Sequence, residues 1–354
     1  MHTKTHIIFL CLSVMLLLSF AVKAETSNKH LLFPGEHNPF VFDDHPMSRD
    51  LKYPEWFKSS FLNFPEDLQD VRRDKKLGLI VYFGQDNCAY CVQLLDINFK
   101  KRTDIISYTQ RFFDVVAVDI WGNLPVVMPD GRHSNEKQFA NIARTQFTPS
   151  LIFYNPWGKE IFRMRGYYPP YRFRAALDYV VGGYYQKENF REYLERADPP
   201  LVFDEDELNP SSIFTAPPYL LERRTPATRP LVVFFEQSKC HACDVLHSGP
   251  LNDKDLLKSF ANMEVVQLGI WADTPVITPA GKKTTARKWA DDLELFYTPT
   301  ILFFDEQGEE IIRIDSTVRL YRLSKVVLYV LTKAYQAYPN FQRWHTRLRQ
   351  QQGE

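Results

Sequence analysis

Four cysteines stand in two Cys-x-x-Cys pairs, Cys88-Ala89-Tyr90-Cys91 and Cys240-His241-Ala242-Cys243, and these are the residues whose type and spacing could do chemistry. The reactive species of a cysteine is its thiolate, and a free thiol of pKa about 8.5 is only a few per cent ionised at neutral pH. A helix N-terminus favours the anion through its unpaired N–H groups and its dipole. Two intervening residues bring the second sulfur within one helical turn of the first. A mixed disulfide formed at one sulfur can then be broken by the other at high effective concentration.

Other uses of the same cysteines fit less well. A zinc site built from two such pairs expects them about fifteen to twenty residues apart, whereas a whole domain separates them here. Haem attachment needs His after the second cysteine, and Val92 and Asp244 stand there. Copper capture by paired thiolates with His241 or His247 nearby is chemically open, as is a pair of permanent short-loop disulfides on a binding module. We assign no metal and no cofactor.

The elements around the pairs are repeated. Residues 115–121, Val-Val-Ala-Val-Asp-Ile-Trp, read against 265–271, Val-Val-Gln-Leu-Gly-Ile-Trp. Pro125, Pro129 and Gly131 are answered by Pro275, Pro279 and Gly281, Thr148-Pro149 by Thr298-Pro299, and Tyr171-Arg172 by Tyr321-Arg322. In the first copy a helix is expected over 64–74, and the apolar run 77–83 is a buried strand ending just before Cys88. An amphipathic helix from Cys91 puts the first cysteine at its N-terminus. A strand over 112–120, a helix over 136–145, a hairpin of 150–154 with 160–164, and a closing helix over 171–179 complete the order β-α-β-α-β-β-α. The second copy repeats it with strands over 230–235 and 265–270, a helix near 286–293, a hairpin turning at Gly308, and a helix over 320–334.

This predicts an α/β fold of two tandem domains, 56–188 and 212–340, each a central mixed sheet flanked by helices. An irregular arm, 25–55, precedes them, a linker, 189–211, with a short helix over 189–197 joins them, and a tail, 341–354, follows. Each unit is expected to fold and react by itself. Trp121 and Trp271 read as caps on the core, and Tyr167 to Tyr171 as a rigid turn or one wall of a peptide groove.

Lys4, the apolar run 7–22 and Val22-Lys23-Ala24 read as a secretory signal peptide, 1–24, which predicts export, with the periplasm as the destination. The mature chain then keeps four cysteines, all in the two pairs, and spends none on long-range staples. Lys and Arg number 43 against 43 Asp and Glu, so there is no basic field for nucleic acid. No stable membrane insertion is expected once the signal is removed.

In these residues the chain resembles the thioredoxin-like superfamily, and is similar to its exported members of the SoxW type and to the periplasmic end domain of DsbD. The likeness spans roughly residues 60 to 185 and 212 to 335, and rests on Cys-x-x-Cys after a buried strand joined to a later Thr-Pro before another. It implies attack by Cys88 and Cys240, resolution by Cys91 and Cys243, and cis Pro149 and Pro299 facing them. A cis proline there removes an N–H beside the thiol and leaves the backbone of Thr148 or Thr298 to pair with an extended substrate. It also implies thiol-disulfide oxidoreductase activity. The partners expected are protein thiols and disulfides, with a redox partner that could be a membrane electron donor. The chain departs from the family at Asn87 and Lys239, which precede the cysteines in place of Trp. It departs again at Tyr82 and Phe234, which fill the strand position of a buried acid. His241, where the first pair has Ala89, is a candidate for tuning the Cys240 thiolate. The alternative function is a redox-inactive or metal-handling adaptor that binds extended peptides.

Overall fold

The computed structural model describes residues 38–197 and 208–352. The signal peptide, the first part of the arm and the Pro-rich and acidic parts of the linker lie outside them. Two runs of β-branched and aromatic residues, Gly78–Gly84 (β1) and Leu231–Glu236 (β8), are buried along their whole length and form the centres of two sheets. Alternation along each strand supplies two faces. Ile80 and Tyr82 enter one core while Leu79, Val81 and Phe83 enter the other, and Val232 and Phe234 are divided in the same way from Leu231, Val233 and Phe235.

The first repeat runs α1 (Phe64–Arg73), β1, α2 (Ala89–Asp96), α3 (Thr103–Phe112), β2 (Phe113–Asp119), β3 (Pro125–Val127), β4 (His133–Asn135), α4 (Glu136–Ile142), β5 (Ser150–Tyr154), β6 (Glu160–Arg165), α5 (Pro170–Val181) and α6 (Phe190–Ala197). The second runs β7 (Tyr219–Leu220), β8, α7 (His241–Ser248), α8 (Lys254–Phe260), β9 (Glu264–Gly269), β10 (Pro275–Ile277), β11 (Lys283–Thr285), α9 (Ala286–Asp292), β12 (Thr300–Phe304), β13 (Glu310–Ile314), α10 (Leu320–Leu331), α11 (Ala334–Ala337) and α12 (Phe341–Gln352). The sheets have the orders β2-β1-β5-β6 and β9-β8-β12-β13, each with one parallel pair and two antiparallel pairs. The expected α/β class and tandem mixed sheets are therefore present. Helices α4 and α9 stop earlier than their apolar pattern suggested, because Arg144 and Glu294 take left-handed backbone and end them; Lys333 does the same after α10. Helices α3 and α8 and the small hairpins β3-β4 and β10-β11 were not foreseen.

From Pro39 onward the two repeats pack as one unit and exchange side chains between their cores. Phe147, just before Thr148-Pro149, lies in the core of the second repeat against Phe341, while Tyr297, just before Thr298-Pro299, lies in the core of the first beside Tyr168. Equivalent turns also meet: the Thr317 N–H donates to the Tyr167 carbonyl at 3.1 Å, and a Cβ on Gly166 would strike the Ser316 hydroxyl. A local mismatch between the repeats, Arg165-Gly166 against Asp315-Ser316, is thus complementary at this seam, with Arg165 Nη1 3.5 Å from Asp315 Oδ2.

The linker helix and the tail also tie the repeats together. Helix α6 packs Phe190, Tyr193 and Leu194 into the first core and reaches the second repeat through the buried Arg191, which stacks on Trp271 at 4.1 Å from the ring centroid. Its guanidinium also donates to the carbonyls of Leu295 and Ile270 and to Asp291. In the tail, α12 packs Phe341 and Trp344 into the second core and reaches the first repeat through Arg343, which stacks on Trp121 at 4.2 Å while donating to Asn141 and to the carbonyls of Ile120 and Lys137. Trp121 and Trp271 pack against the cores as expected and also serve as platforms for these arginines, while Tyr167 and Tyr168 are fully buried instead of lining a groove.

Phe147→Ala should therefore destabilise the second repeat although the residue belongs to the first by sequence. A loss of about 3–5 kcal/mol is expected for emptying a buried Phe site. Hydrogen exchange should show faster opening of β8 and β12; exchange that quickens in the first repeat alone would contradict the exchanged core.

Candidate active sites

Each cysteine pair is placed by a buried strand that turns sharply into a helix. The turn passes through Asn87 and Lys239, both at positive φ, a conformation Asn tolerates better than Lys. Cys88 and Cys240 are then the N-caps of α2 and α7, and their Sγ atoms accept from the N–H groups of Cys91 and Cys243 at 3.1 Å. Both pairs are disulfide-bonded. The first sulfurs belong to residues 7% exposed and the second to residues fully buried, so a partner reaches Cys88 and Cys240 first. Both Thr-Pro bonds are cis, as is Pro217-Pro218. Cys88 Sγ lies 3.7 Å from the Thr148 carbonyl oxygen and 3.3 Å from its Oγ1; Cys240 Sγ lies 3.7 Å from both equivalent atoms of Thr298.

The surroundings of the two sites differ. At the first, Arg322 of α10 reaches across from the second repeat and donates through Nη2 to the Thr148 carbonyl at 2.9 Å. Its guanidinium lies 3.3 Å from the ring centroid of Tyr90, inside the Cys-x-x-Cys motif. Arg322 therefore already engages one lone pair of the Thr148 carbonyl, the group expected to pair with an extended substrate. Among the described residues the Thr298 carbonyl takes no such donor, and Thr298 is half-buried where Thr148 is buried.

Asp44 of the arm holds this arrangement. Helix α10 has no side-chain cap of its own, and Asp44 supplies one by accepting from the N–H groups of Tyr321 and Arg322. The same carboxylate accepts from the Tyr90 hydroxyl at 2.8 Å, and the Tyr90 oxygen accepts from the Arg319 N–H. Burial pushes the Tyr90 phenol well above its usual range, which keeps it a donor, and holds the Arg322 guanidinium below its usual range. The arm thus contacts both repeats: Phe42 packs on Tyr90, and Phe40 meets the ring of His241 edge-on at 5.3 Å. Asp44 gives no sequence signal, since an aperiodic arm does not reveal what it touches. Arg343 gives none either, since the Asn-Phe that recurs at 189–190 and 340–341 sets Gln342, not Arg343, opposite Arg191.

Tyr82 and Phe234 fill the expected strand positions, but the second repeat buries an acid two residues further on. Glu236 is fully buried, 3.0 Å from His247 Nε2, and accepts from Gln267; Gly84 occupies the matching place in the first repeat. His247 is therefore committed to Glu236. Among the described residues, the one group of three metal-capable side chains is Asp43, Asp44 and His45, which includes no cysteine.

A family model described as a thioredoxin-like domain matches residues 64–181 and again 221–331. Solved structures similar to the chain include a thioredoxin-fold protein from Helicobacter pylori, at 23% identity over 35% of this chain and 80% of that one, with TM-score 0.30. A thioredoxin from Thermus thermophilus matches at 23% identity over 34% and 84%, TM-score 0.27. A two-domain fragment of the alkylhydroperoxide reductase AhpF from Enterococcus faecalis matches at 11% over 74% and 97%, TM-score 0.26. No curated protein matches. The chain belongs to the thioredoxin-like domain family. With a Cys-x-x-Cys pair at disulfide distance in each of its two domains, it is a thiol-disulfide oxidoreductase.

Beside the first site, burial and the nearby Arg349, Lys325 and Arg322 hold His345 down at about 3, and its Nε2 lies 2.9 Å from the Tyr321 hydroxyl. Unfolded, a histidine takes its proton near pH 6.5. Between these values the unfolded chain binds more protons, so stability falls as pH drops below about 6.5 and is unaffected above it. His345→Gln should flatten the decline between pH 6.5 and 5 in urea unfolding; an unchanged slope would assign the decline to other groups.

Proposed function

We propose that the chain is an exported, periplasmic oxidoreductase that exchanges disulfides with protein or peptide thiols through both sites. Cys88 and Cys240 attack, Cys91 and Cys243 resolve, and a redox partner, a membrane electron donor among the candidates, returns the pairs to their working state. The observation that carries this reading is the shared geometry: the outer sulfur caps a helix, faces a cis Thr-Pro and is partly exposed, while the inner sulfur is buried. The apolar run 7–22 supports export. Among the described residues no helix is long and apolar enough to cross a membrane. Thr298-Pro299 offers the better edge for an extended substrate, because Arg322 occupies the Thr148 carbonyl.

Brief alkylation of the reduced protein at pH 7 with mass mapping should label Cys88 and Cys240 and spare Cys91 and Cys243; the reverse preference would overturn the roles. Each pair should also be reducible well above the roughly −300 mV below which structural disulfides usually fall. A pair that resists reduction at ordinary potentials would favour the binding-adaptor alternative.

His241, in the first turn of α7, is proposed to stabilise the Cys240 thiolate and so make the second pair the more oxidising. His241→Ala should lower the potential of Cys240–Cys243 by tens of millivolts, at about 30 mV per 1.4 kcal/mol, and leave Cys88–Cys91 unmoved. Equal potentials indifferent to the substitution would remove that role.

A further inference from the structure

A cavity opens onto Cys88 between the first site and the last helices of the second repeat, with Thr148 and Ala89 at its base and Arg322, Lys325, His345 and Arg349 in its walls. It is narrow, about 50 Å³, and adjoins a wider one of about 620 Å³ that shares Asp86 and Arg349 and adds Lys137, Arg343 and Arg347. The acids at the narrow cavity are already engaged. Asp44 serves the Tyr90 hydroxyl and two backbone N–H groups, and Asp86 accepts from the Leu51 N–H. The cations are less so. Arg322 is held by the Thr148 carbonyl and Tyr90, but among the described residues neither Lys325 nor Arg349 pairs with a carboxylate, and Arg349 Nε is buried without an acceptor. Lys325 and Arg349 both stand close enough to His345 to oppose its protonation.

Among the described residues, the repeat register gives the second site Arg172 in the place of Arg322 but no counterpart of Lys325 or His345. The place of Lys325 falls to Ala175 in the repeat register, and the helix that ends the first repeat, α6, carries Leu194 and Glu195 where α12 carries His345 and Thr346.

We propose that the Cys88 site takes disulfides flanked by carboxylates, whose anionic groups rest on Lys325 and Arg349, and that this preference separates it from the Cys240 site. The proposal rests on the reading that Cys88 exchanges disulfides. In the step it favours, the Cys88 thiolate attacks one sulfur of the substrate and the other leaves as a thiolate. The Cys91 thiolate then attacks Cys88 Sγ, closing the Cys88–Cys91 disulfide and expelling the second substrate thiolate. The protein dithiol loses two electrons and the substrate disulfide gains them. With the Thr148 carbonyl taken by Arg322, the side groups around the substrate sulfur, rather than strand pairing, decide binding at this site.

The test compares two full-chain variants after reduction, Cys240→Ser/Cys243→Ser and Cys88→Ser/Cys91→Ser, against three small disulfides of similar size. These are dithiodipropionate (two negative charges), bis(2-hydroxyethyl) disulfide (neutral) and cystamine (two positive charges). Closure of the protein disulfide is followed by intact mass. Taking each rate relative to the Cys240 site cancels the intrinsic reactivity of the probes. At low salt the relative rate at Cys88 should be about five- to thirtyfold higher for the dianion than for the dication, as two partly screened ion pairs allow. The ratio should shrink toward one as salt rises, and Lys325→Gln/Arg349→Gln should lower it in the same direction. A glutamate-flanked peptide disulfide as a fourth probe separates a peptide source from a small-molecule one. Reaction of the neutral probe at Cys88 with no charge preference, or a preference that salt does not weaken, overturns this inference and leaves the exchange reading intact. No reaction of any probe at Cys88 overturns both.

Discussion

A guanidinium drawn out of water needs acceptors for its N–H groups, and two of them, the buried Arg191 and the half-buried Arg343, tie the halves of this protein together. Arg191 leaves the end of the first repeat to lie on Trp271, and Arg343 leaves the end of the second to lie on Trp121. Each finds matched acceptors on the opposite repeat: the carbonyl of Ile270 or Ile120, and the side chain of Asp291 or Asn141. A stacked cation contributes about 0.5–2 kcal/mol, but the geometric consequence is larger. With both arginines docked, the two turns that carry the cis prolines are brought to the seam, and Phe147 and Tyr297 fill each other's cores.

The same seam makes the two sites unequal. Tyr90 in the first motif is large enough to reach Asp44, Arg319 and Arg322, whereas its counterpart Ala242 is not. A side chain within the Cys-x-x-Cys sequence is thereby tied to the N-terminus of a helix in the other repeat. The first site became a charged cleft under α10 and α12. Among the described residues the second has no guanidinium on its Thr298 carbonyl, and it carries a Glu236–His247 pair instead. Two copies with the same strand-turn-helix motif thus present different surfaces to a substrate, and the difference is made by neighbours far away in sequence.

Much of this was legible beforehand because it is local. The apolar runs at 77–83 and 230–235 could only be central strands, a strand leading directly into Cys-x-x-Cys put the first cysteine at a helix start, and the matched spacing of Thr-Pro and Gly fixed the number of domains. Propensity and periodicity act over a few residues, and there the reading and the structure agree to within a residue or two, except at the ends of α4 and α10, each three residues short of the expected bound. What lay outside that range was the docking of one repeat on the other. A sequence read one repeat at a time cannot show that Arg165-Gly166 and Asp315-Ser316 face each other. Arg322, Asp44 and Arg343 are ordinary surface residue types until packing removes them from water. Only the tertiary structure decided that Arg322 occupies the Thr148 carbonyl, because that bond joins residues 174 positions apart and no local rule constrains so distant a pair.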